Sequence, residues 1–170
     1  MINPFSSLSG KVTFVTRAAG GIGRATALAF AEAGASVAVA DLSEEETSKV
    51  AGEIKAAGGK ALAVACDVSK SADAEAALAK TVEAFGGLDV AFNNAGIEQD
   101  QSKLADIDEA DFDEADFDRL MAIDLKGVFL CMKRQIPLMK QRGDGAIVNS
   151  SSGAGVVGIA DGGQTEGLGG

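Results

Sequence analysis

Five short apolar runs, spaced by stretches of helical composition, constrain this chain more than any other feature. The runs fall at 11–16, 36–41, 61–67, 88–94 and 146–151, and the stretches between them at 22–33, 44–57, 71–85 and 117–142. Each run is apolar almost throughout, as a strand covered on both faces must be. Strands joined through helices of about 10–15 residues require crossover connections, and hence a parallel sheet. The spacing therefore predicts an α/β domain with a doubly wound parallel sheet of five strands and helices on both faces. The punctuation agrees. Gly34, Gly58 and Gly86 fall where helices should end, and Ser43 and Ser71 where two should begin.

Composition narrows the chemistry. A length of 170 residues is one domain. No apolar run approaches the roughly 18 residues of a membrane-spanning helix. The first eleven residues have neither a basic start nor a long apolar stretch, so no secretory signal is expected. Two cysteines, Cys66 and Cys131, suit a reducing compartment, and the expected location is cytoplasmic. The chain contains no His, Trp or Tyr, which removes imidazole-based catalysis, the usual zinc sites and any tyrosine acid. A net charge of −10 argues against nucleic acid as a partner. Nine of those ten charges lie in residues 98–118, leaving a near-neutral body with one acidic strip.

Two regions break the alternation. Asp-Glu-Ala-Asp-Phe occurs twice in tandem, at 108–112 and 113–117. A period of five fits neither helix nor strand, and five extra residues would turn a helix face by about 140° net. The extra copy is therefore expected in the loop before the long helix, where an insertion costs little. Asp106 and Asp108 have the first spacing of a calcium loop, but Ala110 stands at the next ligand position and the glycine is missing, so a solvated acidic loop is preferred. From Gly153 onward eight of eighteen residues are glycine, too many for a regular element to form cheaply.

The first strand runs into Thr16-Arg17-Ala18-Ala19-Gly20-Gly21-Ile22-Gly23 and then a helix. A strand, a Gly-rich turn and a helix N-terminus together offer free N–H groups and a dipole to an anion. Gly21 and Gly23 would admit a pyrophosphate to the backbone; a tight turn with no ligand is the plain alternative. Asp41, 18 residues after Gly23, ends the second strand, where it could accept hydrogen bonds from a ribose or cap the next helix. Asp67 ends the third strand, facing the ligand crevice of a doubly wound sheet or capping the helix near Ser71. Asn93 and Asn94 close the fourth, with Ala95 and Gly96 small enough for close approach to a flat ligand; a side-chain network between strand ends is compatible with that role.

In this order the motifs resemble the short-chain dehydrogenase/reductase family over residues 9–158. Residues 16–23 are similar to its T-G-x-x-x-G-x-G loop, with Ile22 between the last two glycines. Asp41, followed by Leu42, matches its acid associated with NAD rather than NADP, and Asp67-Val68 the pair beside the adenine. Asn93-Asn94-Ala95-Gly96 matches its N-N-A-G signature; Leu125–Phe129 and Ile147–Ser152 also read like the family. The resemblance implies a Rossmann-like sheet ordered 3-2-1-4-5 and an NAD-dependent oxidoreductase acting on an alcohol or ketone. The implied cofactor contacts are Arg17, Gly21, Ile22, Gly23, Asp41, Leu42, Asp67, Val68, Asn94, Ala95 and Gly96.

Three departures qualify that expectation. Arg17 replaces the glycine that heads the phosphate loop. A Cβ there costs about 1–2 kcal/mol if φ is positive, and the long side chain can fill the adenosine site or reach a phosphate; weakened binding is expected. Asp124 stands where the family has an asparagine holding a relay water, and a carboxylate can only accept. Ser152 aligns with the catalytic serine, but the Tyr and Lys positions of the family's Y-x-x-x-K fall on Thr165 and Gly169. A threonine hydroxyl cannot act as a general acid near neutrality. The expectation is an incomplete nucleotide-binding domain over 1–158 and a flexible tail over 159–170, truncated or frameshifted and catalytically inactive. The alternative within that reading is a non-catalytic nucleotide-binding module or fragment that joins a full-length relative. An apolar strand at one edge and a half-covered long helix predict self-association.

Overall fold

A computed structural model describes residues 8–98 and 113–153. Its elements are β1 (Val12–Thr16), α1 (Gly21–Glu32), β2 (Ser36–Asp41), α2 (Glu44–Ala56), β3 (Lys60–Ala65), α3 (Ser71–Phe85), β4 (Val90–Asn93), α4 (Glu114–Met121), a π-helical segment (Ala122–Gly127), α5 (Val128–Arg142) and β5 (Ala146–Asn149). The strands form one parallel sheet in the order β3-β2-β1-β4-β5. That is the expected Rossmann-like topology.

All five residues of β1 are buried, because this central strand has a neighbour on each side and helices over both faces. Two apolar clusters divide those faces. One joins Phe14, Val64, Leu78, Leu88 and Cys131 beneath α3 and α5; the other joins Val15, Val37, Val39, Val50 and Ile54 beneath α1 and α2. Successive residues of one strand, Phe14 and Val15, thus serve opposite cores, as the alternation of a strand requires.

Helix boundaries follow local chemistry. The Ser43 hydroxyl accepts from the Glu46 amide and starts α2, as expected. Ser71 does not cap: Lys70 occupies the cap position of α3, and Ser71 is its first helical residue. The long helix begins at Glu114 rather than at 117, because the Asp113 carboxylate accepts from the amides of Ala115 and Asp116 and acids in the first turn suit the dipole. The second pentapeptide copy therefore opens a helix. The first copy, the calcium-loop candidates Asp106 and Asp108, Thr165, Gly169 and the tail lie outside the described residues. Periodicity also missed the π turn at 122–127, which interrupts an otherwise continuous helical path.

At the N-terminal edge of the sheet, Asp89 ties four elements together. Its carboxylate accepts from the Val12 amide at 2.8 Å and pairs with Arg142 at 3.1 Å and Lys11 at 3.5 Å, while its carbonyl accepts from Ala146. The chemistry expected from the motifs lies at the opposite edge.

Candidate functional site

β1 delivers Thr16 to the C-terminal edge of the sheet, where its hydroxyl oxygen accepts from the amides of both Asn94 and Ala95 at 2.9 Å. The turn after β1 is thereby fastened to the turn after β4. The Asn94 side chain extends the fastening: its Nδ2 donates to the Thr16 carbonyl at 3.4 Å, and its Oδ1 accepts from the Ser150 hydroxyl at 3.2 Å. Asn93 points into the core, where it and Gln135 exchange hydrogen bonds at 2.8 and 3.0 Å. Its Nδ2 also donates to Asn149 Oδ1 at 2.8 Å. Gln135 is fully buried, so each amide satisfies the other where water cannot. The network reading of the two asparagines therefore describes the structure.

Gly23 sits where α1 meets the turn. A Cβ there would strike the Arg17 carbonyl and approach Asn94 Nδ2 to 2.9 Å, so only glycine fits. α1 begins without a side-chain cap and without an acid in its first turn, leaving its N-terminal dipole uncompensated. Gly21 and Ile22 are exposed there, Ile22 at 69%.

A crevice of about 440 Å³ opens between these turns, lined by Arg17, Asp41, Leu42, Asp67, Val68, Ala95 and Gly96 among the residues expected from the sequence. Sequence reasoning missed the opposite wall, Ile97, Arg119, Ala122 and Ile123, because no motif marks it. The π turn helps to set that wall. Asp124 leaves it to accept from the Ile97 amide at 2.9 Å, which fixes the chain just beyond Gly96. Here Asp124 serves as an acceptor alone.

Asp41 does not cap α2, which Ser43 does. Its two oxygens accept instead from the amides of Ala19, at 3.0 Å, and Leu42, at 2.7 Å. Asp67 does not cap α3 either. Its Oδ1 accepts from the Ser69 hydroxyl at 2.7 Å and the Ser69 amide at 3.0 Å, and Lys70 lies 3.1 Å from Oδ2. The Ser69 hydroxyl, aided by Lys70, holds the Asp67 carboxyl below the usual carboxylate range against the opposing effect of burial. Cys66, also in the crevice wall, is pushed up to about 12 by burial, with smaller contributions from Cys131 and nearby carboxylates, so it offers no thiolate. Ser152 is exposed, three residues past β5, and does not line the crevice.

Arg17 has the positive φ expected of a glycine position, +51°, and no other non-glycine residue among those described does. Its Nη1 donates to the Gly96 carbonyl at 3.0 Å, so the side chain runs from the first turn to the fourth.

A family model described as short chain dehydrogenase matches residues 11–164. The chain belongs to the short-chain dehydrogenase family. It is 46% identical over 155 residues to the 2,5-dichloro-2,5-cyclohexadiene-1,4-diol dehydrogenase of Sphingobium indicum strain UT26, covering 91% of this chain and 59% of that one. With the cyclohexanol dehydrogenase of an Acinetobacter strain it shares 39% identity over 159 residues, 94% of this chain and 60% of that one. The crystal structure of a 3-ketoacyl-ACP reductase from Sinorhizobium meliloti 1021 superposes with a TM-score of 0.75 at 40% identity, covering 83% of this chain and 53% of that one. This short-chain dehydrogenase chain therefore spans a little over half the length of the relatives it matches.

Proposed function

We propose that this chain is the nucleotide-binding part of an NAD-dependent short-chain oxidoreductase acting on an alcohol or ketone, and that these 170 residues alone bind the nucleotide without turning substrate over. The observation that carries the reading is the crevice at the C-terminal edge of the sheet, where Arg17, Asp41, Asp67 and Gly96 meet. The residues fit a dinucleotide. Gly20 and Gly21 have open space beside the backbone, the uncapped start of α1 suits a pyrophosphate, and Asp41 keeps free lone pairs on a carboxylate that would repel a 2′-phosphate. Val68, Ala95 and Gly96 offer small or apolar walls to an adenine and ribose, with Leu42 at the rim. The names of the cyclohexanol and cyclohexadienediol dehydrogenases support the substrate class.

When bound, NAD supplies a hydride acceptor. The substrate oxygen also needs a proton partner, and the chain has neither Tyr nor His to provide one. Ser152 can orient a substrate but cannot replace that acid. This is what favours the second reading, a non-catalytic nucleotide-binding module.

Calorimetric titration tests the proposal. NAD and ADP-ribose should bind weakly and alike, and NADP more weakly than either. NADP binding as tight as NAD would overturn the preference assigned to Asp41. Turnover of NAD with a panel of alcohols should stay at background, and rates typical of enzymes would refute the claim of inactivity.

A further inference from the structure

Arg17 combines a fixed base with a movable head. Its base is held on three sides. Thr16 before it is bonded to the turn after β4, its own carbonyl abuts Gly23, and the Ala18 amide after it donates to the Ala40 carbonyl at 3.0 Å. The head is exposed, and its partner is the neutral carbonyl of Gly96. Neither acid of the crevice is its partner. Asp41 accepts from two amides, and Asp67 is tied to Ser69 and Lys70. The guanidinium charge is therefore not neutralised by its hydrogen-bond partner.

We propose that Arg17 is a charge filter on this crevice, admitting nucleotides that carry a diphosphate and turning away neutral nucleosides. The inference rests on the nucleotide reading above and assigns the ligand class that the site selects. An adenosine that entered beside Gly96 would displace the exposed Arg17–Gly96 bond and bring no anion to take the guanidinium in its place. A diphosphate lying toward the uncapped start of α1 brings that anion. The guanidinium leaves the carbonyl and makes charge-assisted, two-pronged hydrogen bonds to phosphate oxygens. The filter thus lowers affinity for every ligand but lowers it far less for anionic ones. A glycine at this position would leave only the uncapped start of α1 to favour the anion.

The experiment measures binding of adenosine, ADP and ADP-ribose by calorimetry to the wild-type chain, Arg17→Gly and Arg17→Gln, with circular dichroism melts to verify folding. Wild type should prefer ADP to adenosine by at least about a hundredfold. In Arg17→Gly adenosine binding should tighten by about tenfold or more, with ADP changing much less, so that the ratio falls while the start of α1 keeps the remainder. The slope of log affinity for ADP against log salt should fall by about one unit. Arg17→Gln keeps a donor for Gly96 without the charge, and should bind both ligands poorly. Equal tightening of adenosine and ADP in Arg17→Gly would make Arg17 a simple obstruction and overturn the filter while sparing the nucleotide reading. An unchanged ratio would overturn it as well. Absence of binding to all three ligands by folded wild type and folded Arg17→Gly would overturn the nucleotide reading and the filter together.

Discussion

At the scale of single residues, the site depends on atoms that are absent as much as on those present. Gly23 contributes no side chain, and its effect is to let α1 approach the Arg17 carbonyl and Asn94. Gly23→Ala should therefore both destabilise the chain, by about 1–3 kcal/mol for overpacking against rigid backbone, and abolish nucleotide binding. Urea unfolding and calorimetry measure the two effects separately, and a variant with unchanged stability would refute the close approach. Arg17 shows where reading the residues alone stops. The glycine-like backbone conformation follows from its place in a turn motif, and the structure bears it out at φ +51°. The destination of a long flexible side chain follows from nothing local. That Nη1 meets a carbonyl 79 residues later depends on which turns the sheet brings side by side.

At the scale of elements, strands were readable because both faces of a central parallel strand are buried, which leaves an uncharged, mostly β-branched run such as Val12–Thr16. The helices between them were readable to within about a turn. What escaped was the π turn at 122–127 and the wall it helps to form, because its residues show no pattern until Asp124 is seen to bond Ile97. The Asp41 carboxylate escaped in a similar way. Its position at a strand end was plain, but its partner amides lie in two different turns. The Asp89 clamp makes a prediction about elements. Burial pushes this carboxyl up, yet the Val12 amide, Arg142 and Lys11 together overcome it and hold it below its ordinary value. Stability from a lowered carboxyl is fully present above the unfolded value near 4 and is lost as pH falls through the folded one. Wild type should accordingly lose stability between about pH 4 and the lower folded value, and Asp89→Asn should lose this part of the acid dependence while being less stable at pH 7. Urea midpoints measured from pH 7 to pH 2 provide the comparison. Parallel pH profiles for the two proteins would show that the clamp carries no such linkage.

At the scale of the whole molecule, apolar surface remains uncovered. β5 pairs with β4 alone among the described strands, and Val148 in it is 54% exposed. Leu125 and Phe129 on the helical path are both about three-fifths exposed and line an open groove with Met121. The charge of −10 opposes association, but most of it lies in the strip at 98–118 and none in residues 146–149. Self-association of this chain at micromolar concentration is the expected outcome in sedimentation at moderate salt. A sharp monomer boundary would contradict it. The sheet order also governs the molecule in time. Val12–Thr16 leaves the ribosome first among the strands, yet one flank of it pairs with Val90–Phe92. At about 5–20 residues per second, that partner is synthesised roughly 4–15 s later. During the interval β2 and β3 can settle against one flank of β1 while the other flank stays bare. The Thr16 hydroxyl likewise waits for the amides of Asn94 and Ala95. The nascent chain thus passes through a stage in which the strand that ends fully buried presents an open edge, and a chaperone that recognises such edges would find its longest-lived target there.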